Sequence, residues 1–146
     1  MCIRDSLETA IHETHPTLKL KVRNLCWPGD TATTQPRPMN FADLEQHLTH
    51  VKADVIFASF GFNESFQGRE GLAAFEQSLG SYLAGMRSRA FNGSRSPKVV
   101  FISPIANENI AGVNAADLNN DRIRACLLYT SPSPRDLSTS RMPSSA

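Results

Sequence analysis

Two short apolar runs constrain this chain more than anything else: Val55-Ile56-Phe57-Ala58 in DVIFASF and Val99-Val100-Phe101-Ile102 in SPKVVFIS, with a long amphipathic stretch between them. Unbroken apolar runs of strand length mark parallel strands covered on both faces. In the stretch between, Leu72, Phe75, Leu79, Tyr82 and Met86 fall on one stripe at helical spacing, which predicts the crossover helix of a βαβ unit. Upstream, Phe41, Leu44, Leu48 and Val51 recur at three and four. That spacing predicts a second helix, with Asn40 as N-cap and Asp43 facing the first free amides. In LKLKVRNL, Leu18, Leu20 and Val22 alternate with Lys19, Lys21 and Arg23, as in an edge strand with one wet face. LETAIHETH reads as the end of a helix closed by Pro16, and an Asn-rich loop after Pro104 leads to a helix from Ala115 to Ile123. Helices alternating with strands make the fold class α/β, a parallel sheet with helices on its faces. No internal repeat is visible.

Charge narrows the partners. Fifteen basic residues against fourteen acidic ones leave a net charge of +1, so bulk electrostatics give no reason to expect nucleic acid or an anionic membrane surface. No tract is apolar enough to span a bilayer, and the first residues lack a signal peptide's layout. The compartment stays open, because a longer parent could be exported. The three cysteines, Cys2, Cys26 and Cys126, are spaced for neither a disulfide framework nor a CxxC site. His47 and His50 lie three apart, but no carboxylate or cysteine completes a metal set at a matching spacing, so they are read as a solvated helix face, as are His12 and His15. No metal or cofactor is expected.

The two ends differ in character from the middle. From Thr130 the chain reads TSPSPRDLSTSRMPSSA, too rich in Ser and Pro to order itself. It is either a natural flexible tail or translated sequencing adapter, which CLLYTSPSPRD and the opening MCIRDS both resemble. The adapter reading is the one adopted. It divides the chain into residues 1–6 and 126–146 as artefactual ends, the latter disordered, and 7–125 as part of a natural domain whose true start precedes Met1.

Chemistry is expected beyond the carboxyl ends of the strands, where loops converge. Two such loops are distinctive, RNLCWPGDT and GFNES. The spacing of Asn24, four residues, then Gly29-Asp30-Thr31, followed later by Gly61-Phe62-Asn63, resembles the second and third conserved blocks of the SGNH (GDSL-like) esterase and lipase family. LETAIHETHP, KADVIFASFGFNESF and VVFISPIANE extend the resemblance across residues 7–125. It implies a flavodoxin-like, three-layer αβα fold with a parallel sheet, and hydrolysis of an ester by a Ser-His-Asp site. It also implies that the Gly29 backbone N–H and the Asn63 side-chain amide hold the oxyanion, supported by Asn24, Asp30, Thr31, Gly61 and Glu64. The physical chemistry agrees. A neutral amide fixed at a strand end is a pre-oriented dipole for a developing charge, and glycine admits close approach of the backbone. The chain departs from the family's GxND pattern with Glu64 after Asn63, and it carries Cys26 and Pro28 in the other loop.

The rest of the family's machinery does not occur in these 146 residues: there is no GDS nucleophile motif and no DxxH motif. Arg4-Asp5-Ser6 echoes GDS only superficially, and Ser6 is given no role. The expectation is therefore an internal fragment of a serine esterase, inactive and poorly folded alone, whose parent acts on a small-molecule ester or acylated carbohydrate. A non-catalytic binding module on the same fold is the alternative, decided by whether the upstream sequence holds the Ser. A nucleotide-binding domain is disfavoured, since no phosphate-binding glycine motif follows a strand. Alone, Gly29 would read as an ordinary turn residue and Asn63 as a cap. Trp27 reads as a lid for the core, with sugar stacking as its other reading. Asn107, Glu108 and Asn109 read equally as pocket wall or solvated loop. The oligomeric state is left open.

Overall fold

The computed structural model describes residues 3–110 and 116–130. Helix α1 spans Ile3–Thr14 and stops short of Pro16, which could not continue it. The chain then crosses a long loop to α2, Leu44–His50, and strand β1, Val55–Ala58. A single helical turn α3, Phe62–Ser65, and a 3-10 turn, Gly68–Gly71, lead into α4, Leu72–Arg87. Strand β2, Lys98–Phe101, and α5, Ala116–Thr130, complete the order. The two strands pair in parallel, Val55 opposite Lys98 through Ala58 opposite Phe101, as a βαβ unit requires.

Helix α4 organises the core. Its stripe buries Leu72, Phe75, Leu79 and Met86, and these side chains split between two clusters. Met86 joins Leu48, Ile56 and Phe91, with Leu25, Tyr82 and Val99 packed around them. Leu72, Phe75 and Leu79 join Cys126, with Phe60, Leu83 and Phe101 alongside. Among the described residues no helix is long and apolar enough to cross a membrane.

Four details differ from the sequence-based expectations. Asp43, not Asn40, caps α2: its side chain accepts the Gln46 N–H at 2.8 Å while the Gln46 amide oxygen accepts the Asp43 N–H at 3.1 Å. Asn40 instead has φ of 66°, in a turn closed by the Phe41 N–H donating to the Pro38 carbonyl at 3.0 Å, a conformation that Asn tolerates better than most residues. LKLKVRNL forms no strand. Its alternation survives in burial only in part, with Leu20 and Val22 half-buried between exposed Lys19, Lys21 and Arg23 but Leu18 exposed; a strand needs a ladder partner, and among the described residues β1 is paired with β2 alone. The sheet is also not covered on both faces: β1 buries Ile56 and Ala58 and leaves Val55 and Phe57 46% and 44% exposed. Leu48 of α2 and Met86 of α4 pack with Ile56 on one face, and the backbone of α1 comes close to no other helix or strand among the described residues. Finally, His47 does not lie on a wet face. It is half-buried against Phe41, ring centroids 5.1 Å apart.

Helix α5 continues beyond Ala125, and Cys126 is only 2% exposed in the second cluster. The expected boundary at residue 126 falls within this helix, whereas the tail from residue 131 lies outside the described residues. Burial, with the Glu64 carboxylate second, pushes the Cys126 thiol up from its ordinary pKa, so little reactive thiolate forms. Cys26 is exposed. Iodoacetamide at neutral pH is expected to alkylate Cys26 in the native chain and Cys126 only after denaturation. Equal rates on peptide mapping would show that α5 does not dock on α4.

Candidate functional site

The first expected loop is built on a tight turn. Pro28 and Gly29 occupy its two central positions, and the Asp30 N–H donates to the Trp27 carbonyl at 3.2 Å. Proline fixes φ at the first of these positions. The second needs a positive φ, and Gly29 has φ of 86° with nothing within 4 Å of where a Cβ would sit. Pro28 is thus the residue that this turn favours.

Below the turn lies an ion pair that the sequence reading missed. Arg37 Nη1 and Nη2 donate to Asp30 Oδ1 and Oδ2 at 2.7 and 3.1 Å, with side chains only 9% and 15% exposed. The Trp27 N–H donates to Asp30 Oδ2 at 3.0 Å, and Arg37 also donates to the carbonyls of Leu25 and Pro36. Its guanidinium carbon lies 5.9 Å from the Trp27 ring centroid. The hydrogen bond to Asp30 holds the guanidinium above its ordinary pKa. One signal was available in the sequence: Asp30 and Arg37 are the sole charged residues of PGDTATTQPRP.

The second loop leaves the carboxyl end of β1. Gly61, at φ of 111°, turns the chain where a Cβ would come within 3.3 Å of Phe75 Cζ. Glu64 Oε2 accepts the Gly61 N–H at 3.0 Å. The other carboxylate oxygen, Oε1, crosses to the first loop and accepts the Ala32 N–H at 3.0 Å. Beside it, Asn63 Nδ2 donates to the Asp30 carbonyl at 3.0 Å. Two interactions from adjacent residues therefore stitch the loops together, and Glu64 after Asn63 has a structural task.

This arrangement brings Gly29, Asp30, Gly61, Asn63 and Glu64 into one constellation. Asn24 and Thr31 act locally: the Asn24 side chain accepts the Cys26 N–H at 3.0 Å, and Thr31 Oγ1 accepts the Thr34 N–H at 3.0 Å. Asn107 is tied to α5, its N–H donating to the Asn120 side chain at 2.7 Å, while Glu108 and Asn109 are exposed. Trp27 is 45% exposed, so it is no core lid. A shallow cleft of about 520 Å³ between α2 and the turn after α4, lined by residues such as Gln46, His50 and Arg89, contains neither Gly29 nor Asn63. Among the described residues no group of three or more His, Cys, Asp or Glu side chains could hold a metal ion.

Chemically, the site offers donors without net charge. A primary amide has two N–H bonds, and Asn63 spends one on Asp30. For its second, and for the Gly29 N–H, the described residues supply no acceptor. The nearby cation is neutralised by its own carboxylate. Neutral N–H donors suit a charge that appears during reaction better than a resident anion.

No family model, no curated protein and no solved structure matches this chain.

Proposed function

We propose that this chain carries the oxyanion-binding part of an SGNH-type serine esterase, whose substrate is a small-molecule ester or an acylated carbohydrate. In this reading a serine and its His-Asp partners come from parts of the parent outside these residues. Attack of the serine oxygen on the ester carbonyl, with its proton passing to the histidine, puts negative charge on the carbonyl oxygen. Gly29 donates its backbone N–H and Asn63 its second amide N–H to that oxygen. Collapse of the intermediate breaks the ester C–O bond and returns the proton from the histidine to the departing alcohol; water, deprotonated by the histidine, then cleaves the acyl-serine to give the acid and free serine.

The observation that supports the reading is the 3.0 Å bond from Asn63 Nδ2 to the Asp30 carbonyl, because it ties Asn63 to the residue that follows Gly29 in the other loop. The finer fold assignment belongs to the same proposal. In a flavodoxin-like, three-layer sheet a further strand would lie between LKLKVRNL and the unpaired edge of β1, and α1 would cover part of the bare face. The 146-residue chain alone is then expected to be inactive.

The test is to recover the coding sequence on both sides, express the intact protein and assay p-nitrophenyl acetate hydrolysis together with fluorophosphonate labelling. Turnover with one labelled serine is expected. Absence of both, in a folded protein, would make the chain a binding module instead.

A further inference from the structure

We propose that Arg37 is a positioning residue that sets both oxyanion donors at once, acting through Asp30. The inference rests on the roles given above to Gly29 and Asn63, but the geometry behind it is independent of them. Asp30 is the hub: each of its polar groups is committed to a different part of the constellation. Its N–H closes the turn that presents Gly29. Its carboxylate accepts the Trp27 N–H at the start of that turn and both terminal nitrogens of Arg37. Its carbonyl accepts the Asn63 amide from the other loop. A movement of Asp30 would therefore move the Gly29 turn and release Asn63 together.

Arg37 is what keeps Asp30 in place. The pair is bidentate, which fixes the carboxylate plane as well as its position. The guanidinium is in turn anchored on both sides of the loop, by the Leu25 carbonyl at 3.2 Å and the Pro36 carbonyl at 2.8 Å. Its central carbon lies over the Trp27 ring, 5.9 Å from the centroid. Lysine has the charge but neither the fork nor the plane. Because both side chains are largely buried, removing the cation leaves a carboxylate that must swing toward water to be solvated.

The experiment is ¹⁵N NMR of the intact parent protein, its coding sequence recovered on both sides, following the Gly29 backbone amide and the Asn63 side-chain amide in Arg37→Ala, Arg37→Lys, Asp30→Asn and the Arg37→Ala/Asp30→Asn double variant. Arg37→Ala is expected to displace both resonances while the amides of α4 stay in place. Asp30→Asn should displace the same two, and the double variant should add nothing to either single change. Arg37→Lys should leave both displaced. Unmoved resonances in Arg37→Ala would overturn the proposal, and so would movement of Gly29 without Asn63. If Arg37→Ala loses the dispersed spectrum altogether, Arg37→Lys decides: displacement of the two amides in an otherwise native spectrum supports positioning, and no displacement overturns it. An intact esterase in which Arg37→Ala displaces both resonances but leaves kcat unchanged would refute the oxyanion reading and leave the positioning role standing.

Discussion

Under the esterase proposal, Asn63→Ala in the intact protein is expected to lower kcat about a hundredfold or more, equivalent to roughly 3 kcal/mol of transition-state stabilisation. The size follows from where the charge appears. A neutral ester carbonyl draws little from an amide donor, whereas the tetrahedral oxyanion draws a charge-assisted hydrogen bond. The loss should therefore fall on kcat, with KM nearly unchanged. Asn63 also holds the Asp30 carbonyl, so the substitution loosens the Gly29 turn as well and the measured loss contains both effects. Glu64 still bridges to the Ala32 amide at 3.0 Å, which should keep the loops in contact and the fold intact. Turnover of p-nitrophenyl acetate reads the effect, and an unchanged kcat would remove Asn63 from the mechanism.

Phe75→Ala is expected to destabilise the chain by about 3–5 kcal/mol, the range for deleting a buried aromatic ring. Phe75 is 3% exposed, between Leu72, Leu79 and Cys126. The loss is a large part of the ~5–15 kcal/mol that keeps an ordinary domain folded. A second consequence reaches the site. The Phe75 ring is the surface against which the Gly61 turn lies, its Cζ 3.3 Å from a Cβ position at Gly61, so the cavity would open directly beneath the loop that carries Asn63. Urea denaturation followed by Trp27 fluorescence is expected to show a large drop in midpoint. A change under about 1 kcal/mol would mean that α4, β2 and α5 do not share one cooperative core.

Much of the local structure was legible because its causes lie within a few residues. The α4 stripe requires only helical spacing, and the apolar runs at Val55 and Val99 require only strand length and β-branched residues. Pro28-Gly29 likewise carries its own turn. Asn40 and Asp43 are both good caps, and the choice went to Asp43 because Gln46 stands where it can return the hydrogen bond, while Asn40 was taken up by the preceding turn.

The candidate site was legible as two loops and not as one object. Gly29 and Asn63 were identified by the residues around them. That Asn63 reaches the carbonyl of Asp30, and that Glu64 joins Ala32 to Gly61, depends on contacts between residues more than thirty positions apart. Arg37 looked like one charge in a polar loop, since its role exists only when the loop folds back on Asp30.

What the sequence determined by itself is the set of short-range elements: helices by period, strands by apolar runs, and a turn by its Pro-Gly pair. The tertiary structure alone decided which of them acquire partners. LKLKVRNL has the alternation of a strand and is none, because hydrogen bonds across a ladder must come from a neighbour. The Val55 and Phe57 side chains stand exposed although their run suits burial, since burial is a property of what packs against a segment. Gly29 and Asn63 likewise come together only through Asp30, whose N–H closes the Gly29 turn and whose carbonyl accepts the Asn63 amide.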